Sequence, residues 1–514
     1  MDTQHVIEHL KQIVKPEHIL TDPEDLHVYS FEKIFEKQSP APDIVIKTLS
    51  AEEAQRVLEL ARREGFTAVR RGQPIKRQRI RKPLVLLDDV TVPELERVPF
   101  KKDEILEILK EIRGKGHGSP RNLALALKAL FLEKSLAKCG ECRICSGYCT
   151  VASSFDGVET WSSKGRILIM KDLQNGELTL SKKVIDVLYT CTECGLCFAQ
   201  CFEDLEVNEA ILATRHQIAE KGLAPDVFRE TAKNIMEAGD PGAVSIERRL
   251  SWMENFSFNP SPRKTEVLYW VGCMVANRTP KTAKAFLKIL NHANVSFTML
   301  REKEGCCGYV LLTTGLWDEA KKVAEDASSK IKQTNAKTLV TPCSGCYYTF
   351  TKLYPEFLET TLPCEIFHSS QFIENLLENG KLGLKGLNLR VSYHDPCSLG
   401  KHSGVFDAPR NILKAISNLT LAEMPLNKQI ARCCGGGGGL WSFNNQVSMN
   451  SALNRLKDLQ SLKVDVLTTA CPLCQINFRY ASVKKPIPVK ICDITEIVES
   501  ALANDLDYRK NSLH

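Results

Sequence analysis

The chain has 514 residues, 43% of them hydrophobic and 25% charged, with a formal net charge of +6 and 20 cysteines. That balance excludes a disordered or fibrous polypeptide, and the length exceeds one ordinary core, so three or four domains are expected. A mild charge excess spread over so long a chain makes no case for nucleic acid. The one dense basic run, Arg70, Arg71, Lys76, Arg77, Arg79, Arg81 and Lys82, has no interleaved aromatic residue and reads as a solvated or partner-docking loop.

No stretch approaches the roughly 18 to 20 apolar residues of a membrane span. The first residues, MDTQHVIEHLKQIVKPEH, carry acids and histidines where a secretory signal would have an apolar core. A cytoplasmic location is therefore expected. A reducing compartment makes disulfides improbable, so the cysteines point to metal or redox chemistry.

In chain order, residues 1–100 contain no cysteine and read as a small α/β unit. Ser50 and Glu53 form a capping box ahead of Ala54, Val57, Leu58 and Ala61 at helical spacing, and Gly65 stops the helix. Short apolar stretches at Asp43–Ile46 and Leu84–Leu87 read as strands. Residues 101–138 are charged and helical, with a joint marked by Gly114, Gly116, Gly118 and Pro120. Residues 139–240 hold eight cysteines around helical stretches at Arg166–Leu173 and Lys183–Tyr189. Beyond Pro241, strand-like runs alternate with amphipathic helices, as in βαβ units with a mainly parallel sheet.

The first cysteine group, Cys139, Cys142, Cys145 and Cys149, has C-x₂-C-x₂-C-x₃-C spacing, and Cys191, Cys194, Cys197 and Cys201 repeat it. Three thiolates so spaced turn around one corner of a cubane [4Fe–4S] cluster while the fourth reaches the other cluster. The expected ligand sets are Cys139, Cys142, Cys145 and Cys201 for cluster one, and Cys191, Cys194, Cys197 and Cys149 for cluster two. Zinc is the competing reading, but its two paired ligands leave the third and fourth cysteines redundant. Thr150 and Phe202 stand where proline usually follows, and 41 residues separate the motifs. The region resembles the α-helical ferredoxin domain of fumarate-reductase and glycolate-oxidase iron–sulfur subunits.

The last part repeats itself. Cys273 corresponds to Cys397, Cys306-Cys307-Gly308 to Cys433-Cys434-Gly435, and Cys343 and Cys346 to Cys471 and Cys474. The two patterns are C-x₃₂-CC-x₃₅-C-x₂-C and C-x₃₅-CC-x₃₆-C-x₂-C, spanning 241–385 and 386–514. Each set follows strand-like runs, whose carboxyl ends in parallel sheets are where ligands gather. Gly308, Gly435 and Gly436 are expected to let the backbone wrap closely around a cluster and offer N–H groups to its sulfurs. Gly435–Gly439 lacks the strand–G-x-G-x-x-G–helix setting of a nucleotide loop. Cys364 and Cys492 fall outside every set and read as core thiols.

The residues YHDPCSLGKHSGVFDAPR, CCGGGGG and TACPLC resemble the CCG domains of heterodisulfide reductase catalytic subunits and of glycolate and lactate dehydrogenase iron–sulfur subunits. The resemblance implies a noncubane [4Fe–4S] cluster on each complete five-cysteine set, hence two such clusters beside two cubanes. It implies disulfide/thiol chemistry at Cys307 and Cys434. His394 and His402 flank Cys397, and either is a candidate proton donor near the site, with a structural role the competing reading for both.

The segments ILTDPEDLHVYSFE and PDIVIKTLSAEEAQRVLELARREGFTAVRRG resemble the start of the FAD-binding domain of flavin-dependent 2-hydroxyacid dehydrogenases. The resemblance stops at about 80 residues, and Arg71–Arg77 holds one glycine where a phosphate loop needs several, so no FAD is expected on this chain alone. The fold class expected is multidomain α/β plus α: a small α/β unit, an α-helical ferredoxin domain and duplicated α/β CCG domains. Two functions fit: heterodisulfide-reductase-like disulfide reduction fed through the cubanes, or electron relay for a separate 2-hydroxyacid dehydrogenase. Either needs a redox partner, a flavoprotein or electron-transfer-flavoprotein-like subunit, and the first also takes a small disulfide or thiol.

Overall fold

The computed structural model describes residues 3–30, 44–48, 50–64, 136, 139–140, 142–203, 205–254 and 265–503. The strand expected at Leu84–Leu87, the basic run and nearly all of 101–138 lie outside them. The chain divides into two units, Met1–Glu141 and Cys142–His514.

In the first unit, helices Thr3–Leu10 and Ala51–Glu64 accompany a two-stranded antiparallel pair, β1 (Ile19–Leu20) and β2 (Val45–Ile46). The second helix starts as its sequence demands: Ser50 Oγ accepts the Glu53 N–H at 3.0 Å. Val6, Leu10, Val14, Val57 and Leu60 form its small core.

The second unit opens with helices. Ser162 caps Ser163–Gln174 by accepting the Gly165 N–H at 3.1 Å, and Ser181 caps Lys182–Tyr189 through Val184 N–H at 3.2 Å. Helices Val207–Glu220 and Asp226–Ala238 follow, the latter ended by Gly239 at φ +67°, a left-handed stop that glycine adopts without strain.

Then come two four-stranded sheets. The first contains β3 (Val267–Tyr269), β4 (Phe297–Met299), β5 (Thr338–Thr341) and β6 (Glu365–His368) in the order β4-β3-β5-β6. The second contains β7 (Leu389–His394), β8 (Leu419–Leu421), β9 (Val466–Thr469) and β10 (Lys490–Asp493) in the order β8-β7-β9-β10. Every pairing is parallel, and the two orders are the same once the repeats are aligned. Short, nearly all-apolar strands such as Val-Leu-Tyr suit a parallel sheet covered on both faces.

The repeats also exchange contacts reciprocally. Helix Pro280–His292, which follows β3, packs on Ile494–Ala503, which follows β10. Helix Ser369–Glu378, which follows β6, packs on Asp407–Ala415, which follows β7. Lys288 pairs with Glu499 across the first contact, and Asn411 donates to Glu374 at 2.7 Å across the second. Phe286, Leu290, Ile373, Ile412, Ile497 and Val498 share one continuous core. Of the two expected core thiols, Cys492 is fully buried on β10, but Cys364 is only half-buried, because it stands just before β6 begins rather than within the sheet.

Candidate metal centres

Strand order places the cysteines. In each sheet the first strand of the repeat lies beside the third, and their outgoing connections run to opposite sides, which opens a crevice at their carboxyl ends. Cys273 follows β3, and Cys343 and Cys346 follow β5; Cys397 follows β7, and Cys471 and Cys474 follow β9. The loops after β4 and β8 bring Cys306-Cys307 and Cys433-Cys434 to the same crevices.

Within repeat one, the thiols form an unbroken chain of hydrogen-bonding neighbours, Cys273–Cys306–Cys307–Cys346–Cys343. Repeat two forms the equivalent chain, Cys397–Cys433–Cys434–Cys474–Cys471. Hydrogen bonds from Cys306 and Cys346 hold Cys307 well below the usual thiol range, and Cys433 and Cys474 do the same to Cys434. Cys306, Cys346, Cys433 and Cys474 are pushed up in turn. Five thiols packed so closely can carry little negative charge by themselves, so the donor set fits a polynuclear cation. No cysteine is in a disulfide among the described residues.

Backbone N–H groups reach the sulfurs as glycine permits. Gly308 N donates to Cys306 Sγ at 3.3 Å, Gly435 N to Cys433 Sγ at 3.2 Å and Gly436 N to Cys434 Sγ at 3.4 Å. Gly272, at φ +83°, has Cys346 Sγ 3.3 Å from where a Cβ would stand. Glu304 was missed in the sequence: its carboxylate accepts from Val271 N at 3.0 Å and Gly272 N at 2.7 Å, bracing the two cysteine loops of repeat one.

In the helical part, Cys149, Cys191, Cys194 and Cys197 line one cavity together with Arg166. Burial pushes the Cys191 thiol up to about 12. Arg166, 1% exposed, donates to Val187 O at 2.8 Å and Thr190 Oγ1 at 2.9 Å and approaches Cys149 Sγ at 3.7 Å. Cys142 is exposed, and Cys145 and Cys201 are half-buried. Cys139 lies in the first unit.

These cysteines adjoin repeat two directly, since Cys194 hydrogen-bonds Cys433. Gly437 and Gly438 make the approach possible: a Cβ on Gly438, at φ +59°, would lie 2.6 Å from Cys191 O, and one on Gly437 would lie 2.9 Å from Thr192 O. The glycine run thus serves the meeting of two modules as well as the cysteine pair before it. Arg215 locks the junction. Fully buried, it donates to Leu188 O at 2.7 Å, Cys191 O at 2.8 Å, Thr313 O at 2.7 Å and Gly438 O at 2.9 Å, joining the helical part to both repeats. It also faces Glu193, whose carboxyl burial pushes up to about 7. Nothing in the spacing of Arg215 marks it, because its partners are backbone carbonyls.

The histidines separate. His402 stacks on Tyr348 at 4.7 Å and bonds Glu193 O at 2.7 Å through Nε2, which makes it a structural strut. His394, 1% exposed, stands against Cys434, with Cys474 close by.

A family model described as a cysteine-rich domain, CCG, matches residues 267–351 and 391–479. Both repeats therefore match the cysteine-rich CCG domain, and the chain is similar to curated iron–sulfur oxidoreductases. It is 29% identical over 392 residues to a subunit of the dihydromethanophenazine:CoB–CoM heterodisulfide reductase of Methanosarcina mazei, covering 71% of this chain and 94% of that one. It is 30% identical over 322 residues to a subunit of the fumarate reductase (CoM/CoB) of Methanothermobacter marburgensis, covering 62% of each. It is 29% identical over 335 residues to the protein of Bacillus subtilis named "Probable iron-sulfur-binding oxidoreductase FadF", covering 62% of this chain and 47% of that one. No helix among the described residues is long and apolar enough to cross a membrane.

Proposed function

We propose that the chain delivers electrons singly to a disulfide bound between its two CCG crevices, R–S–S–R + 2 e⁻ + 2 H⁺ → 2 RSH. The observation that carries this is the pair of equivalent five-thiol chains, one at the crevice of each repeat, with Cys343 and Cys471 near enough to feel each other's charge. Cys273, Cys306, Cys307, Cys343 and Cys346 hold one noncubane cluster, and Cys397, Cys433, Cys434, Cys471 and Cys474 the other. Cys149, Cys191, Cys194 and Cys197 hold one cubane, and Cys142, Cys145 and Cys201 supply ligands to the second. Bound there, the clusters supply one-electron transfer and Lewis-acid capture of released thiolates.

The residues themselves do the rest. Gly308, Gly435 and Gly436 bring N–H groups onto sulfur, Cys194 and Cys433 bridge the helical part to repeat two, and His394 holds a proton at Cys434. A redox partner, a flavoprotein or electron-transfer-flavoprotein-like subunit, supplies the electrons. Two of the relatives are named as single subunits of larger reductases, which supports such an assembly.

Anaerobically isolated protein should contain about sixteen iron atoms per chain, four for each of four clusters. With a reduced viologen as donor, C307S and C434S should lose disulfide reduction while keeping the electron paramagnetic resonance of the cubanes, and C364S should lose neither. Full activity in both CCG variants would sink this function and leave the chain a conduit through its cubanes to another enzyme.

A further inference from the structure

The two CCG sites are alike in strands and cysteines but not in what stands three residues before the first cysteine. In repeat two that residue is His394; in repeat one it is Trp270. One packing contact is common to both. Each ring meets, edge to face at 88°, a phenylalanine four residues after the last cysteine: His394 on Phe478 at 4.8 Å and Trp270 on Phe350 at 5.1 Å.

His394 has a second neighbour with no part in the sequence pattern. Arg455, on helix Asn445–Leu456, has no exposed side-chain surface and is anchored by Asp458, whose Oδ2 accepts from Nη1 at 2.8 Å. Its Nε donates to His394 Nδ1 at 3.3 Å. A guanidinium has donors and no acceptor, so Nδ1 can only accept, and a neutral imidazole then carries its proton on Nε2. With Nδ1 engaged, Nε2 is the nitrogen left to bond Cys434. Among the described residues Cys307 has no such histidine: it takes a backbone N–H from Tyr309, as Cys434 does from Gly436, and the Thr349 hydroxyl beside it donates to Gly345 O at 2.8 Å.

We propose that Arg455 is a positioning residue that fixes the proton of His394 on the nitrogen facing Cys434, so that repeat two alone, among the described residues, adds a side-chain N–H donor to the backbone N–H groups that both repeats direct at their cysteine sulfurs. This rests on the assignment of a cluster to repeat two. An N–H directed at a ligand sulfur stabilises the reduced, more negative state, so the repeat-two site takes up an electron at a higher potential than repeat one. Cys433, which meets Cys194, belongs to that same site, so the electron is retained where it enters.

The test is redox titration of iron-loaded holoprotein, followed by the paramagnetic signal that Cys434→Ser removes. Arg455→Met should lower the reduced-to-oxidised ratio of that signal at fixed potential at least tenfold, about 59 mV for one electron. Arg455→Lys, which can also only donate, should restore the wild-type value. In a His394→Phe background, Arg455→Met should add nothing further. An equal shift in both backgrounds, or no shift at unchanged iron content, would overturn the proposal. Wild-type protein whose iron content and signals are the same with and without Cys434 would refute the cluster assignment and take this proposal down with it.

Discussion

Replacing Arg215 with methionine keeps roughly the length of the side chain and removes every donor. Four buried carbonyls, on Leu188, Cys191, Thr313 and Gly438, then lose a hydrogen bond. Leu188 O keeps a backbone bond from Cys191 N, so three acceptors are stranded at about 1 kcal/mol or more each. Glu193 also loses its buried counter-charge, and a loss of roughly 4 to 6 kcal/mol is expected. Because those carbonyls belong to the helical part and to both repeats, the loss should be felt as loosening of the junction rather than of one module. Anaerobic guanidinium unfolding, followed both by circular dichroism and by the visible absorption of the clusters, measures it. Arg215→Lys, with three donors on a flexible stem, should fall between. A loss below about 1 kcal/mol in Arg215→Met, the range of ordinary surface changes, would refute the view that this guanidinium holds the modules together.

Gly438→Ala should destabilise through both its φ of +59° and the 2.6 Å approach of its Cβ to Cys191 O, and should alter the spectrum of the cluster on Cys191 while leaving repeat one unchanged. Asp493 gives a pH dependence. Burial lifts its carboxyl from 3.8 to about 7, so the folded state holds a proton that the unfolded state has released across that window. Its contribution is therefore favourable at the acid end and lost as pH rises through 7, by about 4 kcal/mol at most. Asp493→Asn should flatten that slope, gaining stability relative to wild type at pH 8 more than at pH 5; parallel stability curves for the two proteins would contradict it.

Much of this architecture is legible in the chain because cysteine spacing and strand hydrophobicity are local. The runs ending at Tyr269, Thr341, His394 and Thr469 could be read as strands, the duplication needed only counting, and Ser50, like the helix at Lys183–Tyr189, signals its element directly. What could not be read depends on contacts between distant segments. Glu304, Arg215 and Arg455 act on backbone amides, on carbonyls and on a histidine far away in sequence, and an isolated Glu or Arg looks like any solvated charge until the chain has folded. The glycine run misled in part for the same reason: Gly437 and Gly438 are explained by Thr192 and Cys191, more than 200 residues earlier. Cys364 shows the opposite error, an apolar neighbourhood in sequence that turned out to be the edge of a strand.

The reciprocal helix contacts between the repeats have the grammar of a two-fold dimer, in which each partner offers the same pair of surfaces. Glu374 and Glu499, one on each terminal helix, occupy equivalent places in it, and their partners come from a helix between the first and second strands of the other half. A chain built this way behaves as two protomers that have been spliced into one. The covalent join frees each half to drift, which is how one can keep a tryptophan where the other has a histidine without losing the fit between them. A homodimer could not do this, since every substitution there appears twice. Either half produced alone would present a large apolar face shaped for its twin, and sedimentation should find it paired with its own copy or aggregated rather than as a stable monomer.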